Sequence, residues 1–270
     1  ILSYASYCLD NWYKIDEAEP ISLNNVALIN NFLGGVDEDW FVTIHVCIED
    51  AAGEAINSAY KLSLLNDSNS VNEFSIELKK IIKSLKKVNT IFSKMPEKCD
   101  PYVYYHRVRP YIFGTKDNPD LKEGLIYENQ YQNVPQFFRG ETGAQSSIIP
   151  FLDGALGIYH TNDNLRPYLN EMRDYMPPKH RKMIENVEEK SMAKEYIFKS
   201  KKLIHEYNQC LEEIRRFRAQ HLEFAASYIH KQSKAKTAFG TGGSTFRGTG
   251  GTPFMRYLKK HRDETNKQKI

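Results

Sequence analysis

The sequence predicts an all-α fold, and three observations carry that prediction. Glycine and proline are both absent between Gly53 and Pro96 and again between Pro178 and Gly240. Stretches of that length, rich in Glu, Lys, Leu, Ile and Ala, are what long helices leave behind, because either breaker is costly inside a helix. Within them the apolar residues recur at three- and four-residue spacing, the period of a helix face. Strand signals are weak, with few alternating β-branched runs and no Asn-Gly turn.

The elements follow in order. From Phe41 to Tyr60, the residues Phe41, His45, Ile48, Ala52, Ala55 and Ala59 fall on one helical face. The small residues of its second half would let another helix, or a flat ligand, approach closely. From Ser70 to Val88 the apolar set is Phe74, Leu78, Ile81, Ile82 and Leu85, with Lys79, Lys80, Lys83 and Lys86 outside. That is a core helix with a solvated basic face. The clearest helix runs from about Met192 to Ile229, where Leu203, Tyr207, Cys210, Leu211, Ile214, Phe217, Phe224, Ala225 and Tyr228 form a stripe interrupted one turn apart by Arg218 and His221. After Lys231 the composition changes to a Gly/Ser/Thr stretch, and residues 232–252 read as a mobile loop. A short terminal helix is expected next, with Thr252 as N-cap, Pro253 at its first position, and Met255 and Leu258 half-buried.

Composition bounds the function. With 41% hydrophobic and 26% charged residues over 270 positions, the chain has material for one large domain or two small ones. A net charge of +3 is too balanced for a binder of nucleic acid or membrane surfaces. No apolar run is long enough to span a bilayer. Cys8, Cys47, Cys99 and Cys210 form neither a CxxC pair nor a disulfide-scaffold spacing, so they read as buried small hydrophobes in a reducing, cytoplasmic setting. Ile1 opens directly into ILSYASYCLDNW with neither an initiator Met nor a basic flank, which reads as a trimmed start.

Among chemistries, several metal sites fail on spacing. No histidine has Glu three residues before it, His205-Glu206 is not followed by a second histidine at zincin spacing, and CxxCH is absent. A single axial histidine holding non-covalent haem in an apolar slot survives, beside the alternative of a histidine hydrogen-bonded within the core. Gly243 to Gly248 gives GxxxxG, but Thr249 stands where a P-loop needs lysine, leaving a flexible linker or a lid whose amides meet an anion. In Asp100–Pro110, Tyr104, Tyr105 and Arg109 could fall on adjacent turns, either as a carboxylate grip or as a Tyr/Arg surface or buried ion pair.

Taken together, YASYCLDNW, CIEDAAGEAI, YYHRVRPYI, RGETGAQSS, DGALGI, RDYMPPKHR, RAQHLEFAASYI and GTGGT resemble, in order and spacing, the indoleamine 2,3-dioxygenase family, related to the tryptophan 2,3-dioxygenases. The resemblance implies that 1–270 form a helical large domain carrying haem b, normally preceded by a smaller helical domain, and a monomer. It implies His221 as the proximal and only protein iron ligand, Arg218 and Asp153 at a haem propionate, and Gly140 to Gly143 over the haem edge, with Thr142 where mammalian members have Ser. Arg109 would bind the substrate carboxylate. Tyr4, Tyr7, Phe41 and Ile112 would wall the indole, and Tyr104 and Tyr105 replace the family's usual Phe-Phe pair. Thr249 and Gly250 would belong to the loop that closes on the amino acid's polar end. His45 departs from the mammalian Ser and matches the distal histidine of the tryptophan dioxygenases. The reaction implied is opening of the indole ring of L-tryptophan, or a related indoleamine, by O2 to give N-formylkynurenine. Alternatives from the same pocket are another indole modification of secondary metabolism, such as monooxygenation or rearrangement, and a non-enzymatic haem sensor.

Overall fold

The computed structural model describes residues 3–65, 71–161, 165–234 and 255–270, apart from the Arg256 side chain. Most of the loop expected over 232–252 lies outside the described residues, as do Thr249, Gly250, Thr252 and Pro253. Helices dominate: α1 (Val36–Leu64), α2 (Val71–Phe92), the single turns α3 (Pro101–Val103) and α4 (Arg109–Ile112), α5 (Ile148–Leu156), α6 (Arg166–Arg173), α7 (Pro178–Lys190), α8 (Ala193–Ile197), α9 (Lys201–Ala225) and α10 (Met255–Lys267). A two-stranded antiparallel ribbon, β1 (Trp12–Lys14) with β2 (Val26–Leu28), precedes them. Its three-residue strands are too short to give the alternating pattern that sequence reading relies on.

α1 is longer than its apolar stripe, and more deeply placed. Val42, Ile44 and Val46, which flank the stripe of Phe41 and His45 on both sides, are as buried as Ile48 and Ala52. A helix apolar on nearly all sides lies inside the domain. The small residues of its second half receive α2. Ser84 on α2 is buried, donates to the Ala51 carbonyl at 2.6 Å and accepts from the Ala55 amide at 3.2 Å. On its other side α2 meets α9, where the fully buried Asn89 donates to the Glu213 carbonyl at 3.0 Å and to its carboxylate at 2.9 Å. α1 and α9 thus lie on opposite sides of α2, while α10 covers α9, and α5 joins α1 to α7.

The long helix expected from Met192 to Ile229 is broken. α8 stops at Ile197, and α9 restarts after Ser200, whose backbone is extended. The break uses no glycine or proline, so it left no signal of the kind on which the sequence reading rests. Beyond Ala225 the chain continues as a wider, π-type turn over Ala226–His230, and similar turns occur at Ala5–Leu9 and Tyr104–Val108. The four cysteines are buried and free, as expected of small hydrophobes. No helix among the described residues is long and apolar enough to cross a membrane.

The start of α1 is held by one carboxylate. Gly34 and Gly35 lead into it at φ +74° and +91°, values that disfavour any side chain. The fully buried Glu38 then accepts the amides of Phe32 (2.8 Å), Leu33 (2.7 Å) and Gly34 (2.8 Å) and the Tyr7 hydroxyl (3.1 Å). Glu38→Ala strands these four donors, and at about 1–3 kcal/mol for a buried group left unsatisfied the loss is expected to exceed about 3 kcal/mol. Urea unfolding measures it; a loss below about 1 kcal/mol would show that water replaces the carboxylate.

Candidate functional site

A cavity of about 510 Å³ opens between α1, α5, α6, α9 and α10, within the size range of cofactor and ligand sites. Its walls are mainly apolar: Phe41 and Ile48 from α1, Phe92 and Met95, Ile148 and Ile149 from α5, and Phe217, Phe224 and Ala225 from α9. Two of the π-type turns feed it, through Tyr104 and through Tyr228 and Ile229, and Tyr4 enters just before the third. Such turns add a residue to a helical stretch and re-aim the side chains after it.

Polar groups are confined to a few places. On α1, His45 Nδ1 lies 2.7 Å from the Phe41 carbonyl. A carbonyl only accepts, so Nδ1 carries the proton and Nε2 is left with a lone pair. Burial lowers the imidazole pKa further, against the opposing pull of that bond. His221, on α9, has no hydrogen bond among the described residues; its ring meets the edge of Phe92 at 6.3 Å. Burial first, and then the nearby His45, push its pKa down to about 4, so it is neutral at physiological pH. The stripe derived from sequence had placed each histidine on a helix face. The structure shows that the two faces confront one cavity.

At the α1 rim, Glu49 accepts from the Tyr4 hydroxyl (2.8 Å) and Ser146 (2.7 Å), tying the N-terminal segment to the loop before α5. Gln145 strengthens the tie by accepting the Tyr4 amide (2.9 Å) and donating to the Gly140 carbonyl (3.0 Å). That loop is fixed from behind. A Cβ on Gly114 would lie 2.2 Å from the Gly140 nitrogen, so only glycine allows the approach. Arg139 is clamped by Glu171 (3.1 and 2.9 Å) and Asp117 (2.8 Å). At the α10 end, Arg218 donates to Asp153 at 2.5 Å and to Thr265, and Asp153 also meets His160 at 3.2 Å. His160 Nδ1 donates to Glu264 at 2.9 Å, and its ring stacks on His261 at 4.2 Å. His160, His261 and Glu264 place their ligand atoms within 4.8 Å of one another.

A single family accounts for the whole length. Residues 1–268 match the family model described as Indoleamine 2,3-dioxygenase. The chain belongs to the indoleamine 2,3-dioxygenase family. It is 34% identical to rat indoleamine 2,3-dioxygenase 1 over 276 residues, covering 99% of this chain and 68% of the relative. It is 28% identical to the Saccharomyces cerevisiae indoleamine 2,3-dioxygenase (98% and 67% covered) and 31% identical to the 6-hydroxytryptophan 2,3-dioxygenase of Fusarium equiseti (97% and 68%). The protein is therefore an oxidoreductase of a haem-dependent, O2-using family, and its all-α architecture agrees with that placement.

The residues present fit a haem of this indoleamine 2,3-dioxygenase family. An imidazole with no hydrogen-bond partner among the described residues lines an apolar slot, and a paired arginine and carboxylate stand at its α10 end. Of the positions expected from sequence, Tyr4, Phe41, His45, Tyr104, Thr142, Asp153, Arg218 and His221 line the cavity. Tyr7, Tyr105, Arg109, Ile112 and Gly140 are not among its lining residues. Arg109 is fully buried, its guanidinium 5.1 Å from the Tyr105 ring centre and 4.9 Å from that of Phe113. Sequence reading gave no role to Glu49, none to Glu141 beyond its place in the Gly140–Gly143 loop over the haem edge, and missed His160 and His261. The first two sit inside motifs already noted, but nothing local separates a buried carboxylate from an exposed one.

Proposed function

We propose that this chain opens the indole ring of L-tryptophan, or a related indoleamine, with O2 to give N-formylkynurenine, using haem b held by His221. The observation that carries the reading is the His221 imidazole, without a hydrogen-bond partner among the described residues, on an apolar wall, with His45 lining the same cavity. A neutral imidazole offers the lone pair that iron needs. Haem, when bound, supplies the activation of O2 that protein side chains lack.

The chain's own residues then divide the work. Arg218 and Asp153 orient the cofactor from its acidic edge, in the way groups beyond the metal ligands fix and tune a site. Phe41, Tyr104 and Ile48 give the indole a dry wall. His45 Nε2 accepts the indole N–H, since its other nitrogen is committed to the Phe41 carbonyl. The family resemblance assigns Arg109 to the substrate carboxylate, which requires its guanidinium to turn out from between Tyr105 and Phe113 into the cavity. It likewise assigns Thr249 and Gly250, which lie outside the described residues, to the polar end of the substrate.

The deciding experiment mixes reduced, haem-loaded protein with L-tryptophan in air. Accumulation of N-formylkynurenine carrying both atoms of labelled O2 is expected. An oxindole product, or a haem spectrum without turnover, would reject the reading. His221→Ala should lose most bound haem, and full occupancy with an unchanged spectrum would remove His221 from the iron.

For His45, 1-methyltryptophan is the probe, because it lacks the N–H and adds a methyl group at that position. The wild type should turn it over poorly, and His45→Ser should accept it better relative to L-tryptophan, since an unpaired buried polar group penalises the analogue. Equal turnover of both substrates by the wild type would return His45 to a structural role.

Arg109→Ala should raise KM for L-tryptophan by tenfold or more, given about 2–5 kcal/mol for a desolvated charge pair, while tryptamine, which has no carboxylate, changes little. Parallel losses for the two would make the arginine structural.

A further inference from the structure

Glu141 is the one acid on the cavity wall, among the described residues, that the fold leaves without a counter-charge. It is 2% exposed and lines the cavity beside Tyr4, Tyr104 and Thr142. Its backbone is held rigidly, with its amide donating to the Ile112 carbonyl at 3.1 Å and Arg139 clamped next to it. No hydrogen bond or ion pair among the described residues reaches its carboxyl group. Every comparable acid is answered: Asp153 by Arg218 and His160, Glu188 by Arg173, and Glu49 by two hydroxyls. The groups that sense Glu141 are Tyr4, Tyr7, Cys8 and Tyr104, none of them a cation. Burial alone pushes its pKa up to about 8, so the carboxyl group is largely protonated at pH 7.

A desolvated carboxyl group on a cavity wall is a receptor for a positive charge that the described residues do not supply. We propose that Glu141 binds the side-chain ammonium of the substrate, so that this site selects indoles bearing an amine over indoles bearing only an acid. The inference rests on the indole-site reading above and adds to it the residue that recognises the amine. The wall around Glu141 is the one that carries His45: the Tyr4 ring lies 6.0 Å from the His45 ring, and the Tyr104 ring 4.8 Å from that of Phe41. A ligand whose indole sits there brings an alkylamine within the same enclosure. On entry the carboxyl proton leaves to solvent, and the complex keeps one carboxylate and one ammonium. A hydroxyl would supply a hydrogen bond without the charge. A lone carboxylate keeps the Glu141 carboxyl group protonated and gains no charge pair from it.

The test uses ferric, haem-loaded protein and follows the haem absorption band as ligand is added. L-Tryptophan, tryptamine and indole-3-propionate are compared in the wild type and in Glu141→Gln, which keeps size and removes the charge. Both amines should bind the variant at least tenfold more weakly, while indole-3-propionate binds it equally or more tightly and so shows the site intact. Titration of the wild type with tryptamine at pH 7 in buffers of different ionisation enthalpy should also reveal proton release. Unchanged amine affinity, or an equal loss for all three ligands, overturns the assignment to Glu141 while leaving the indole site standing. Bound haem whose spectrum no indole perturbs overturns both.

Discussion

The site depends on α2 holding α1 and α9 apart. Both long helices are apolar enough to bury against each other, and direct contact would erase the space between His45 and His221. α2 prevents this by being tied to each neighbour through a buried polar side chain, Ser84 to α1 and Asn89 to α9. A buried donor that loses its partner costs more than a typical hydrogen bond gains, so these two ties fix spacing and register more firmly than apolar contact alone. The small residues Ala51, Ala52, Ala55 and Ala59 let α2 come close on one side. The bulkier Phe41 and Ile48, earlier in α1, line the cavity instead.

The helical content and the faces of α1, α2 and α9 were legible in the sequence because they follow from local period and the absence of breakers. The break at Phe198–Ser200 was not, because nothing in those residues forbids a helix. Tertiary contact decides it. The same holds within the site. His45 and His221 could each be placed on an apolar stripe, but that the stripes face one another is a property of three helices together. The family resemblance supplied Arg218 and Asp153 as a pair, and they lie 2.5 Å apart. It also pointed to Tyr7, Tyr105, Arg109 and Ile112, which are not among the residues lining the cavity. The π-type turn over Tyr104–Val108 helps explain the difference. It turns Tyr104 inward, while Arg109, whose amide reaches back to the Tyr104 carbonyl, packs between Tyr105 and Phe113.

The two polar ends of the cavity are built differently. The Tyr4–Glu49–Ser146 arrangement joins three separate segments through neutral donors, and burial raises the Glu49 pKa despite them. The Arg218–Asp153–His160–Glu264 chain carries formal charge and links α5, α9 and α10. Networks of this kind rigidify a site, here with one Asp153 oxygen, Oδ1, left without a partner among the described residues. The Asp153–Arg218 pair therefore presents an already oriented guanidinium to whatever anionic group arrives, at little further ordering cost.

Residue type alone does not assign roles here; the bonds already spent do. Four histidines line the cavity, and each has a different remaining valence. His160 has both ring nitrogens engaged by acids and Arg218, so it is a strut. His45 has one nitrogen bound to the backbone, which sets its tautomer and leaves one acceptor. His261 is stacked on His160 and neutral, with its pKa pushed down to about 4 by burial and by that neighbour. His221 alone combines an unpartnered ring, among the described residues, with an apolar wall on a long, rigid helix. The two enclosed glutamates divide in the same way. Glu49 is saturated by hydroxyls and stabilises the rim, whereas Glu141, on an equally rigid backbone, is not. A fold that leaves a buried acid without a counter-charge disfavours its ionised form at a free-energy cost. That cost is recovered only when a ligand supplies the missing charge, which makes the unanswered group a determinant of what the cavity accepts.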